Sequence, residues 1–114
     1  MLSSYLMHSR YTAHIAKKLS EEGFTTVTFD QRGQGLSEGD RGQWNDYKAI
    51  IQDAYNFIKK VFEMYPKAPI FVLGTGISAV NILYISLYFY KDFKFAGIIM
   101  ASPILMVPQY GKIF

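Results

Sequence analysis

Cysteine is absent from the 114 residues, which excludes a disulfide framework and any cysteine-ligated metal site. A chain without thiols suits the reducing cytosol. Charge is scarce, at 18% against about 25% in an average soluble domain. Twelve Lys and Arg against nine Asp and Glu leave a net charge of +3, with no long basic run and no basic stripe interleaved with stacking aromatics. A nucleic-acid partner is therefore not expected, and the pairs Lys17-Lys18 and Lys59-Lys60 read as solvated helix faces. Long hydrophobic runs are missing too. The largely apolar stretch Ile82 to Tyr90 falls well short of the ~20 residues of a membrane span, and Met1 to Met7 lacks the charged start and apolar stretch of a signal peptide. No Pro/Gly/Ser-rich linker and no internal repeat divides the chain, so residues 1–114 are read as one unit.

What the chain has in abundance is apolar and aromatic side chain. Half its residues are hydrophobic, and nine Tyr, nine Phe and one Trp bring the aromatic share to 17%. A chain of this length hides only about two thirds of the surface its unfolded form exposes. There is more to bury than a small domain comfortably hides.

Hydrophobic periodicity switches between helix and strand several times. Tyr11, Ile15 and Leu19 recur every four residues beside Ala16, Lys17, Lys18, Glu21 and Glu22 take the other face, and Gly23 supplies a stop, which predicts a first helix. Thr25 to Phe29 is β-branched and aromatic and runs into the turn-rich loop Asp30 to Gly39, which predicts a strand and a loop. From Asp46 to Tyr65 the residues Tyr47, Ile50, Ile51, Ala54, Phe57, Ile58, Val61 and Phe62 follow a helical stripe that Pro66 closes. Ile70 to Leu73, between Pro69 and Gly74, reads as a strand covered on both faces, Ala79 to Tyr90 as a helix buried on most sides, and Phe95 to Met100 as a last strand. The order α-β-α-β-α-β predicts an α/β unit of three parallel strands and three helices with right-handed crossovers.

In such a sheet chemistry gathers at the carboxyl ends of the strands. The turn Gly74-Thr75-Gly76-Ile77-Ser78-Ala79, between a strand and a helix, fits two devices. Gly74, Gly76 and Ala79 match the G-x-G-x-x-A of a dinucleotide-binding turn, although the next strand ends in Ala101-Ser102-Pro103 without the acidic residue that grips a ribose, and Asp92 precedes that strand. The other device is a nucleophile elbow, G-x-S-x-G, whose serine position is here Gly76.

Three segments favour the elbow. They are Arg10 to Ala16; Phe29-Asp30-Gln31-Arg32-Gly33-Gln34-Gly35-Leu36-Ser37-Glu38-Gly39; and Tyr65 to Gly74, with Ala96 to Pro103 in support. Together they resemble the serine α/β-hydrolases of the monoacylglycerol lipase and serine aminopeptidase S33 type, in which they correspond to the first helix, the D-x-R-G-x-G-x-S-x-G loop, the approach to the elbow and the strand after the elbow helix. The resemblance implies a three-layer, partial α/β-hydrolase fold, hydrolysis of carboxylic esters such as acylglycerols, and no cofactor or metal. It also implies Ser, Asp and His in that chain order and an oxyanion hole made by a His-Gly loop and the amide after the serine.

Here the nucleophile position is Gly76, the amide of Ile77 is the residual oxyanion donor, and the only histidines, His8 and His14, precede the elbow. The chain is therefore expected to lack catalytic residues and to be inactive. Glycine accepts the strained elbow backbone without penalty, so the turn is expected to survive. Ser78 reads as a capping or packing residue of the helix, Ser37 and Ser102 as loop serines without a base, His14 as a half-exposed helical residue, and Asp30 with Arg32 as a structural loop pair. Two alternatives stay open: part of a working ester hydrolase completed by sequence outside this chain, and a nucleotide-binding module using Gly74 to Ala79. By the resemblance, the family strand between Thr25–Phe29 and Ile70–Leu73 is missing here. A gap or a closed-up pair of strands is expected, with exposed edges that another protein segment would cover.

Overall fold

A computed structural model describes residues 1–43, 46–107 and 111–112. A 3-10 turn, Ser9–Thr12, leads into helix α1, Ala13–Glu21, followed by helix α2, Tyr47–Met64, strand β1, Phe71–Thr75, helix α3, Ile77–Tyr88, and strand β2, Gly97–Ala101. A short antiparallel pair, β3 (Met106–Val107) and β4 (Gly111–Lys112), ends the described chain. The three predicted helices are present. Among the described residues the parallel sheet has two strands, β1 and β2, with Phe71 opposite Gly97 and Thr75 opposite Ala101.

The predicted strand Thr25 to Phe29 forms only a single bridge, at Phe29. The expected gap does not exist, because the N-terminal residues fill it. Leu2 bridges in parallel to Phe29 on one side and to Gly74 on the other, its N–H donating to Leu73 O at 2.8 Å and its carbonyl accepting from Thr75 N at 3.3 Å. Met1 N donates to Val27 O at 2.6 Å, and Thr28 Oγ1 to Met1 O at 3.1 Å. Strand propensity in Thr25 to Phe29 meets a partner only a few residues long, so no ladder can propagate.

Helix α2 follows its sequence closely. Ile50, Ala54 and Ile58, four residues apart, lie at 2%, 1% and 3% exposure, and Asp46 caps the helix by accepting from Ala49 N at 3.0 Å. Its stripe packs with Leu2, Val72, Ile82, Ile85 and Phe93 into the core. Aromatic pairs extend that core toward one edge: Phe62 meets Phe93 at 5.4 Å between ring centres, Tyr55 meets Phe93 at 5.0 Å, and Phe29 stacks on Phe57 at 4.4 Å.

Helix α3 begins two residues earlier than its pattern predicts and buries Ser78 to Ile82 and Ile85, while Leu87 and Tyr88 at its far end are exposed. Strand β1 is not covered on both faces, since Phe71 is exposed and Val72 buried. On β2 the successive residues Ile98, Ile99 and Met100, which point to opposite faces, are all exposed. Helix α1 is amphipathic yet buries none of its residues. Part of the apolar surplus seen in the composition thus stands on the surface, at β2 and at the end of α3. No helix among the described residues is long and apolar enough to cross a membrane.

Candidate functional site: a strand-turn-helix elbow with glycine at its apex

The turn from β1 into α3 is set by two glycines for different reasons. At Gly74 an added Cβ would lie 2.5 Å from Ile82 Cδ1 and 2.9 Å from Ala79 Cα, so only glycine lets α3 fold back closely onto the strand. At Gly76 the backbone adopts φ 57° and ψ −124°, the first central position of a type II′ turn, which L side chains rarely take. Gly76 N donates to Ala101 O at 3.0 Å, tying the apex to the end of β2. The N–H of Ile77 is among the first four of α3, which have no intrahelical acceptor.

Above the apex the space is taken. A Cβ on Gly76 would lie 2.2 Å from Ser4 Oγ, 3.0 Å from Ser4 Cβ and 3.8 Å from Ile104 Cδ1. Ser4 carries its hydroxyl, from the opposite segment, into the volume where an elbow side chain would rise.

Beneath the apex lies a buried polar knot. Ser78, 0% exposed, donates to Ser3 O at 2.5 Å and accepts from Gln31 Nε2 at 2.6 Å, and the same Nε2 reaches Ser3 O at 2.7 Å. Three segments distant in sequence are locked together there. Ser78 is therefore a structural hydroxyl, sealed from any substrate. Farther along α3, Asn81 Oδ1 accepts from Tyr47 OH at 2.6 Å, and burial, with Tyr84 adding to it, pushes the Tyr47 phenol up to about 12.

The other predicted residues fall as follows. Asp30 accepts from Ser9 N at 2.7 Å and Leu36 N at 3.0 Å; burial works to raise its pKa, but those amide bonds outweigh it and the carboxyl sits below its ordinary value. Gly35 is required beside it, because a Cβ there would lie 2.1 Å from Asp30 Oδ2. Asp30 and Arg32 do not pair with each other as expected: Arg32 reaches Asp53 of α2 through two bonds, at 2.5 and 2.8 Å. Ser37 Oγ donates to Asp30 O, and Ser102, at φ 50°, is exposed just after β2. His8 caps the 3-10 turn by accepting from Arg10 N at 3.3 Å, and His14 is exposed on α1. Among the described residues no serine hydroxyl is hydrogen-bonded to a histidine, and no cluster of metal-ligating side chains occurs.

Sequence reasoning overlooked Ser4, Gln31 and Asp53. Nothing in the order of residues marks them, since each acts through a partner more than twenty positions away.

A parallel βαβ unit with a helix springing from a left-handed apex at the strand's carboxyl end is the core of an α/β-hydrolase. The sequence matches the serine aminopeptidase S33 family over residues 1–113, and the chain belongs to that family. It is 28% identical over 93 residues to monoglyceride lipase of Rattus norvegicus, covering 81% of this chain and 30% of that protein. The Mus musculus monoglyceride lipase is 30% identical over 95 residues (82% of this chain, 29% of that protein), and the Homo sapiens protein 27% over 109 residues (94% and 35%). The chain spans about a third of the length of these curated relatives.

Proposed function

We propose that this chain carries the elbow scaffold of a lipase-like or esterase-like serine α/β-hydrolase without its hydrolytic chemistry. The observation that supports this most directly is the pairing of Gly76 with Ser4: the apex has no side chain, and a neighbouring segment fills the space one would need. A nucleophilic serine works because its hydroxyl is raised over the sheet, next to a base and facing preorganised donors. At Gly76 the hydroxyl is gone, and Ile77 offers a single donor. Monoglycerides, from which the relatives take their name, and other carboxylic esters are the compounds this reading has the chain leave intact.

The test is hydrolysis of a short-chain nitrophenyl ester and of a monoglyceride by the purified chain. The reading expects rates equal to those of a Ser4→Ala, Ser78→Ala double variant. Turnover that disappears in that variant would refute it.

A second reading is a working carboxylic-ester hydrolase completed by another protein segment. It is favoured by the exposed Ile98, Ile99 and Met100 of β2 and by the span of only a third of the relatives' length. Activity regained on co-expression with a segment that pairs with β2 would establish it. A nucleotide at Gly74 to Ala79 fits less well, since Ser4 and Ile104 stand where a pyrophosphate would approach the start of α3.

A further inference from the structure

Residues 1–4 fill one strand position of the fold through bonds to segments distant in sequence. Met1 N donates to Val27 O, 26 positions away, Leu2 makes backbone bonds to Leu73 and Thr75, and Ser3 O accepts from both Gln31 Nε2 and Ser78 Oγ. Leu2 and Ser3 are each 1% exposed, and Leu2 belongs to the core with Val72 and Ile82. In the 114-residue chain this segment joins the body through one hinge, residues 5–8, since Ser9 is anchored again by its N–H to Asp30 Oδ1 at 2.7 Å.

That hinge is built against its sequence. The chain reverses in a turn from Ser4 to Met7, closed by Met7 N donating to Ser4 O at 3.1 Å. The third position of the turn takes a positive φ, a place for glycine or asparagine, and it is occupied by Leu6 at φ 59°. Leu6 is 66% exposed, so burial does not offset the strain. Tyr5 OH steadies the turn by donating to Gly42 O at 2.5 Å, an exposed bond that opposes opening only weakly.

A strained hinge next to a self-contained strand position favours exchange of that strand between copies. When the segment of one chain enters the slot of another, every bond in the slot is remade and only the hinge changes. Straightening the hinge releases Leu6 from its left-handed conformation and brings the uncharged Tyr5, Leu6 and Met7 of two chains together about a twofold axis. We propose that residues 1–4 exchange between two copies of this chain, giving a strand-swapped dimer in which the Ser4 that stands over each Gly76 is contributed by the partner copy. The exchange is independent of any chemistry at the elbow.

The experiment starts from the chain carrying Ile99→Lys, so that the exposed edge of β2 does not contribute. The chain is refolded from urea at high protein concentration, where the slot of another copy competes with its own, and its mass is followed by sedimentation velocity. A dimer is expected, and it persists on dilution because separation requires Leu2 to leave the core. In a dimer refolded from leucine-methyl-labelled and isoleucine/valine-methyl-labelled chains, nuclear Overhauser contacts are expected between Leu2 of one copy and Val72 or Ile82 of the other. Leu6→Gly removes the strain and weakens dimerisation about thirtyfold, the equivalent of about 1 kcal/mol released in each of two copies. A variant lacking Leu6 and Met7 cannot close the turn and is expected to be a dimer throughout. The proposal is overturned by a chain that stays monomeric after concentrated refolding, by a dimer without Leu2 contacts between copies, by Leu6→Gly dimerising as tightly as its parent, or by a folded monomer of the shortened variant.

Discussion

Restoring serine at the apex, Gly76→Ser, tests the elbow geometry in the most detail. The new Cβ enters at φ 57°, where a side chain costs about 1 to 3 kcal/mol in backbone strain. It then meets Ser4 Oγ at 2.2 Å and Ser4 Cβ at 3.0 Å. The hydroxyl can rotate away, but the Ser4 Cβ cannot, so a further overpacking cost of about 1 to 3 kcal/mol follows. The sum, about 2 to 6 kcal/mol, is a large part of the 5 to 15 kcal/mol that holds an ordinary domain folded. Urea unfolding followed by circular dichroism gives the midpoints for Gly76→Ser, Gly76→Ala, Ser4→Gly and the Ser4→Gly, Gly76→Ser pair. Gly76→Ala is expected to lose nearly as much as Gly76→Ser, because the penalty belongs to Cβ and not to the hydroxyl. The pair recovers about 1 to 2 kcal/mol relative to the sum of its single variants, the coupling expected of two groups contending for one volume. Additive losses, or a neutral Gly76→Ser, would refute the reasoning.

Other perturbations separate the remaining parts of the account. Ser78→Ala removes the hydroxyl that joins Gln31 to Ser3 O in the buried knot and should lower stability by about 1 to 3 kcal/mol in the same unfolding assay, with no effect expected from Ser102→Ala. For Asp30 the carboxyl's folded pKa lies below its ordinary value, so its ionised form stabilises the fold. That contribution is full above the unfolded value near 4 and is lost as pH falls through the lower, folded one; acid unfolding of Asp30→Asn should show a shallower slope there. On β2, Ile99→Lys should reduce self-association in sedimentation experiments while shifting the unfolding midpoint little, because the residue is half exposed at an unguarded strand edge.

The helices were legible because their signals are local. Asp46, the stripe Ile50, Ala54 and Ile58, and Pro66 mark α2 within a single stretch of chain, and Gly23, at φ 87° just past α1, ends it where its pattern stops. Thr25 to Phe29 failed as a strand for the complementary reason. Strand propensity describes a surface waiting for a neighbour, and the neighbour here is the few residues around Leu2. The elbow itself was readable from Gly74, Gly76 and the loop Asp30 to Gly39, whose glycines answer to steric facts such as Asp30 Oδ2 lying against Gly35. Ser4 was not readable, since its role depends on a fold that brings residue 4 over residue 76. The heavy aromatic load divides into two parts: Phe29, Phe57, Phe62 and Phe93 pack against one another, while Tyr11, Phe71, Tyr88 and Tyr90 remain exposed.

The most direct measurement of the central claim is the mass of the purified chain after exposure to a fluorophosphonate, which modifies only serines activated by their surroundings. The account predicts an unchanged mass for the native chain and for Gly76→Ser alike. A stoichiometric mass increase abolished by heat denaturation, on Ser4 or on any other serine, would contradict it.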